Sequence, residues 1–116
     1  MQFYTEPAGL FQYTKPIVVL TNRTTYSTGE TFMLAMLQNK TVTQVGDVTG
    51  GAFSDAVTRD LPNGWSFRVP IADVRDANGH NLESIGIMPK VVVQNKPEEL
   101  KAGHDRALET ALELLR

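Results

Sequence analysis

The sequence predicts one small α/β domain over residues 1–116, and three observations carry the prediction. The apolar, β-branched run Ile17 to Leu20 stops at Thr21-Asn22-Arg23, as a core strand does. Phe32, Met33, Leu34, Met36 and Leu37 then recur at spacings that a helix can bury, and Val42 to Val45 follows as a second strand, giving a β-α-β unit with parallel pairing. Further on, Trp65, Phe67, Val69 and Ile71 alternate strictly, the period-two pattern of a strand.

Taken in order, residues 1–16 are irregular, with Pro7, Gly9 and Pro16 as breakers. Phe3, Tyr4, Leu10, Phe11 and Tyr13 give this lead-in apolar weight, so it is expected to lie against the body of the domain or against a segment outside this chain. A strand at 17–22 and a helix at 29–38 come next, and Asn39-Lys40 ends the helix. Gly46 to Gly51 is a glycine-rich loop without the lysine of a P-loop or the spacing of a dinucleotide fingerprint, so it reads as a turn that needs positive φ. Phe53, Val57 and Leu61 partly alternate along one strand, and Leu61-Pro62-Asn63-Gly64 turns it into the next. Asp76-Ala77-Asn78-Gly79 is a further turn, and Val91-Val92-Val93 a short buried strand. Pro97 to Ala102 forms a short turn before a helix capped by Asp105, whose stripe is Leu108, Ala111, Leu112 and Leu115, with Glu109 and Glu113 facing outward.

The composition narrows the function classes. Of 116 residues, 41% are hydrophobic and 21% charged, with a net charge of −2 and aromatic residues that do not interleave with basic ones. That balance suggests neither a nucleic acid nor an anionic membrane as partner. There are no cysteines, which removes disulfides, thiolate metal sites and cysteine catalysis. No apolar run approaches the roughly 18 residues of a membrane span, and Met1-Gln2-Phe3-Tyr4 does not read as a signal start, so the sequence is expected to be part of something longer.

The turn between strand and helix, Ser27-Thr28-Gly29-Glu30, admits two readings. One is a capping box, with the Ser27 hydroxyl accepting from the Glu30 amide and the Glu30 carboxylate reaching back to the Ser27 amide. The other is a nucleophile held at a helix N-terminus, where free amides stabilise an oxyanion. Thr25 stands where a GxSxG elbow has its first glycine, so that motif is absent. A hydroxyl nucleophile needs a base. The two histidines, His80 in an Asn-Gly turn and His104 before a helix cap, both read as surface residues. Glu83, three residues after His80, invites a pairing that spacing alone does not fix.

The ordered set strand, N-R-T-T-Y-S-T-G-E, helix, V-G-D-V-T-G-G-A, hairpin, N-G-H-N-L-E-S-I-G-I-M-P, strand, helix resembles the catalytic core of the C-terminal processing (tail-specific) serine peptidases, from about Pro16 to the end. The resemblance puts the nucleophile on Ser27 and an oxyanion donor on the amide of Thr28. The bacterial type has a lysine base in the glycine-rich loop, where this chain has Gly50-Gly51-Ala52. Thr49-Gly50-Gly51, and Glu83 before Gly86-Ile87-Met88-Pro89, instead resemble the tricorn-like branch, which uses a histidine base and a glutamate. Lys90 departs from the family's usual aspartate.

The resemblance implies acyl transfer to Ser27, with Glu83 helping to orient a base from an upstream segment, and the isolated chain catalytically silent. It implies the C-terminal portion of a crotonase/ClpP-like β-β-α core, with a mixed sheet and two main helices. It further implies peptide or protein substrates, no cofactor or metal, no stable membrane insertion and a periplasmic or cell-envelope location. A homodimer would cover apolar surface left open by a missing segment. Two other classes stay open: a non-catalytic member of the same fold that binds an apolar ligand, and an interaction domain in which Ser27 is only a cap.

Overall fold

In the computed structural model, which describes Tyr4, Glu6 and residues 8–116, the β-branched run forms β1 (Ile17–Thr21). A polar turn leads into α1 (Thr28–Met36) and then β2 (Val42–Gly46), which pairs parallel to β1 with Ile17 opposite Val42 and Thr21 opposite Gly46. The short β5 (Val91–Val92) adds parallel to the other side of β2, so the sheet order is β1-β2-β5. Between them, β3 (Ala56–Asp60) and β4 (Ser66–Pro70) form a separate antiparallel hairpin. Strands of both orientations are therefore present, but in two sheets rather than one. Two nine-residue helices, α1 and α3 (Arg106–Leu114), frame the parallel sheet, with the five-residue α2 (Pro97–Lys101) before α3.

The core is small. Met33 of α1, Val42 of β2, and Phe53 and Ile87 from loops are buried together, with Ile17, Val19, Leu34 and Met36 packed around them. Phe32 stays 55% exposed, so α1 buries a narrower stripe than its pattern predicts. Phe53 enters this core from the loop that precedes β3, rather than from a strand, and Leu61 belongs to the hairpin turn. Every residue of β4 is exposed, so its strict alternation records hairpin geometry and not a buried face.

Helix α3 also departs from its expected stripe. Ala107 and Ala111 are buried where the helix meets β1 and β2, while Leu108, Leu112 and Leu115 stay about half exposed. Two small side chains let the helix backbone approach the sheet, and the leucines fall on its shoulders. The Asp105 cap forms as expected: its carboxylate accepts from the Leu108 amide at 3.0 Å. The lead-in does not lie against the body, since Tyr4, Leu10, Phe11 and Tyr13 are all well exposed; Phe3 and Pro7 lie outside the described residues. No described helix is long and apolar enough to cross a membrane.

Candidate active site

Ser27 is set by the turn before it. The Asn22 side chain accepts from the Thr24 amide and hydroxyl, the Thr25 hydroxyl accepts from the Asn22 amide, and the Thr25 carbonyl accepts from Gly50 at 2.7 Å. The Ser27 amide then donates to the Ala52 carbonyl at 2.9 Å. The turn between β1 and α1 is thus stitched to the glycine-rich loop at two points. Ser27 is left half-buried at φ 55° and ψ −122°, a conformation that costs a residue with a Cβ on the order of 1–3 kcal/mol.

The capping box does not form. Ser27 makes no side-chain cap, and among the described residues its hydroxyl has no hydrogen-bond partner. The Glu30 carboxylate does not reach back to Ser27. It is fully buried and accepts from the Thr49 hydroxyl at 2.5 Å, the Gly51 amide at 2.7 Å and the Ala52 amide at 2.9 Å. Three donors in the loop outcompete one in the turn, because a buried carboxylate needs all its lone pairs met. The Ser27 carbonyl opens the helix, accepting from both Glu30 and Thr31. The Thr28 amide, exposed at the first helical position, donates to no described residue.

Glu83 comes to the same loop from the other side. Its Oε2 accepts from the amides of Phe53 and Ser54 at 3.0 and 3.1 Å, and its Oε1 accepts from no described residue. Ser27 and Glu83 therefore hold three consecutive loop residues between them, Ala52 by its carbonyl and the next two by their amides. Ser84 reinforces the junction through its amide to the Gly51 carbonyl at 2.7 Å. The glycines fit the expectation of positive φ: Gly51 is at φ 74°, and a Cβ there would stand 2.9 Å from the amides of Ile85 and Gly86.

Ser27 opens into a cleft of about 390 Å³, walled by Tyr26, Ala52, Ser54 and, from the hairpin, Ala56, Arg68 and Pro70. Neither histidine lines it. His80 Nδ1 sits 3.1 Å from Asp76 within its own turn, 70% exposed, and does not pair with Glu83. Asp76 is held below the ordinary aspartate range, chiefly by the His80 amide, with the His80 ring and the Asn78 amide adding to it against partial desolvation. His104 stands 3.6 Å from Glu109 on the surface. Among the described residues no cluster of His, Asp and Glu could hold a metal ion.

Three residues of this site were not singled out by the sequence. Thr49, in the sequence only a member of the glycine-rich loop motif, is 1% exposed, and its hydroxyl also accepts from the Ile87 amide at 2.7 Å. Ser54 and Arg68 reach the cleft only because the hairpin folds next to the Ser27 turn, and no local pattern encodes that meeting.

Known proteins share this fold. The family model for peptidase family S41 matches residues 1–93. A carboxyl-terminal-processing protease of Synechocystis sp. is 31% identical over 104 residues, which is 87% of this chain and 24% of that protein. One from Picosynechococcus sp. is 33% identical over 82 residues, 71% of this chain and 20% of that protein. Among solved structures, a proposed peptidase of Parabacteroides merdae superposes with a TM-score of 0.81 at 38% identity, over 90% of this chain and 33% of that one. The tricorn protease superposes with a TM-score of 0.74 at 22% identity, over 86% of this chain and 10% of that one, which speaks to the fold alone. The chain thus spans a quarter or less of the length of the two curated relatives. The family-model match over residues 1–93, together with the two curated relatives, shows that this chain belongs to peptidase family S41.

Proposed function

We propose that this chain carries the nucleophile side of a serine peptidase site. Ser27 Oγ attacks the scissile carbonyl carbon, its proton passes to a base, and the amine leaves with that proton. Water then hydrolyses the acyl-enzyme by the same route in reverse. The Thr28 amide donates to the developing oxyanion, assisted by the positive end of α1. Glu83, anchored by two loop amides and with one oxygen free, orients the base.

The observation that carries this reading is the backbone of Ser27. At φ 55° and ψ −122° it holds an unbonded hydroxyl in a cleft, in a conformation that glycine adopts at much lower cost. A cap alone would not need that strain, and no cap bond is made. Neither His80 nor His104 lines the cleft that holds Ser27, so on this reading the base is supplied from outside these residues. Peptide or protein substrates and a cell-envelope location, as in the family this chain resembles, belong to the same proposal; fractionation checks the second.

The test is active-site labelling of the natural full-length protein. A fluorophosphonate should label Ser27, and Ser27→Ala should abolish labelling and lower peptide cleavage by about a thousandfold or more. Residues 1–116 alone should label at a negligible rate. Undiminished labelling of Ser27→Ala would mean that another residue is the nucleophile.

A further inference from the structure

The hairpin supplies a wall of the cleft that differs chemically from the rest. In the β3–β4 register Ala56 lies opposite Pro70 and Thr58 opposite Arg68, so Ser66, Arg68 and Pro70 share one face of β4, and Arg68 and Pro70 reach the cleft that holds Ser27. Arg68 is the charged residue of that lining. Arg23, Arg75 and Arg106 each stand near a carboxylate; Arg68, like Arg59 and Arg116, has no ion pair among the described residues, but of these three only Arg68 lines the cleft. Asp60, on the neighbouring strand, lies opposite Ser66, one step further along the face, and makes no bridge to it. The Ser54 hydroxyl in the same wall is already committed, donating to the Asp55 carbonyl and accepting from Ile71 and Ala72.

An unpaired guanidinium in a concave, partly apolar site suits one kind of ligand above others, a carboxylate that its planar fork can hold through two hydrogen bonds. We propose that Arg68 is a specificity-determining residue that binds a substrate carboxylate close to the bond Ser27 attacks. The carboxylate is either the free C-terminus of the substrate or an acidic side chain near the scissile bond; the chemistry is the same. This inference rests on the reading of Ser27 as nucleophile.

The experiment measures kcat/KM of the full-length protein on four matched peptides: Glu or Gln beside the scissile bond, each with a free or an amidated C-terminus close by. The wild type should prefer a carboxylate, the Glu/Gln comparison identifying a side chain and the acid/amide comparison a C-terminus. Arg68→Ala should lower the preferred-to-neutral ratio by about tenfold. Arg68→Lys should retain part of the ratio, and Arg68→Glu should invert it toward the neutral peptide. A ratio that Arg68→Ala leaves unchanged overturns the proposal while the peptidase reading stands. A wild type that cleaves no peptide and takes no fluorophosphonate overturns both. If Arg68→Ala does not fold, the wild-type ratio measured against ionic strength decides: a carboxylate held by a charge loses its advantage as salt rises, and a flat ratio counts against Arg68.

Discussion

The carboxylate of Glu30 and the hydroxyl of Thr49 meet at 2.5 Å with both side chains closed to solvent. Through this contact the first turn of α1 is bonded to the loop after β2, and Thr49 passes the connection on to the Ile87 amide. Three segments far apart in sequence become one rigid junction, and Ser27 stands three residues before its centre. The strained serine is tolerated because this junction fixes the backbone on either side of it.

Breaking the junction from either side should be costly and non-additive. Glu30→Gln places an amide NH₂ against a backbone N–H or the Thr49 hydroxyl, and should destabilise the protein by about 2–4 kcal/mol. Thr49→Val keeps the shape but loses both bonds, at about 1–3 kcal/mol. Urea unfolding of both single variants and the double variant should give a coupling of at least about 0.5 kcal/mol. Strict additivity would show that the two side chains act separately.

Ser27 makes the opposite prediction. With no cap bond to lose, Ser27→Ala should change stability by less than about 0.5 kcal/mol, where a capping serine would cost about 1 kcal/mol. Ser27→Gly removes the left-handed strain and should stabilise the fold by about 1 kcal/mol, raising Tm while the nucleophile is lost. A Ser27→Gly variant that melts below the wild type would argue against stored strain.

Two glycines with similar φ separate strain from crowding. Gly86, at φ 85°, would bring a Cβ to 2.4 Å from the Thr49 carbonyl, within the same junction. Gly64, at φ 83° in the hairpin turn, would meet nothing. Gly64→Ala should therefore cost about 1–2 kcal/mol, the left-handed penalty alone. Gly86→Ala adds a backbone collision and should cost more than about 3 kcal/mol. Equal Tm losses would mean that the loop near Thr49 yields easily.

What the sequence revealed follows from how local each determinant is. The β-α-β unit, the hairpin and the Asp105 cap are written in neighbouring residues; the first and last formed within a residue or two of expectation, while the hairpin's first strand starts only at Ala56, beyond the expected Phe53. The capping box was equally legible but did not form, because a tertiary demand overrode it: Thr49, Gly51 and Ala52 offer Glu30 more donors than the turn can. The α3 stripe misled for a related reason. Leucine periodicity marks an apolar side, but the closeness of helix to sheet selects Ala107 and Ala111 for the contact itself. Arg68 lay beyond reach, since its meeting with Ser27 depends on where the hairpin folds.

The cap of α3 should respond to pH. Asp105 is held below the ordinary aspartate value of 3.8, first by the Leu108 amide and then by the Asn95 side chain, with the Ala107 amide adding a little against partial desolvation. Asn95 completes the arrangement, donating to Asp105 at 2.8 Å and accepting from Ala107 at 3.1 Å, so the segment after β5 is tied to the helix start. A carboxyl that is more acidic when folded favours folding in its ionised form. Its contribution is fully present above about pH 5 and is lost as pH falls through about 4 and below. Asp76, also depressed, acts in the same direction, so the comparison must be with Asp105→Asn rather than with the wild type alone. At neutral pH the wild type should exceed that variant in stability by several tenths to about 1 kcal/mol, and the gap should narrow progressively as the pH falls below the ordinary aspartate range. Asn95→Ala should reduce the gap without abolishing it, because the Leu108 amide still holds the carboxylate. A gap that stays constant from neutral to acid pH would show that Asp105 contributes through shape, not charge.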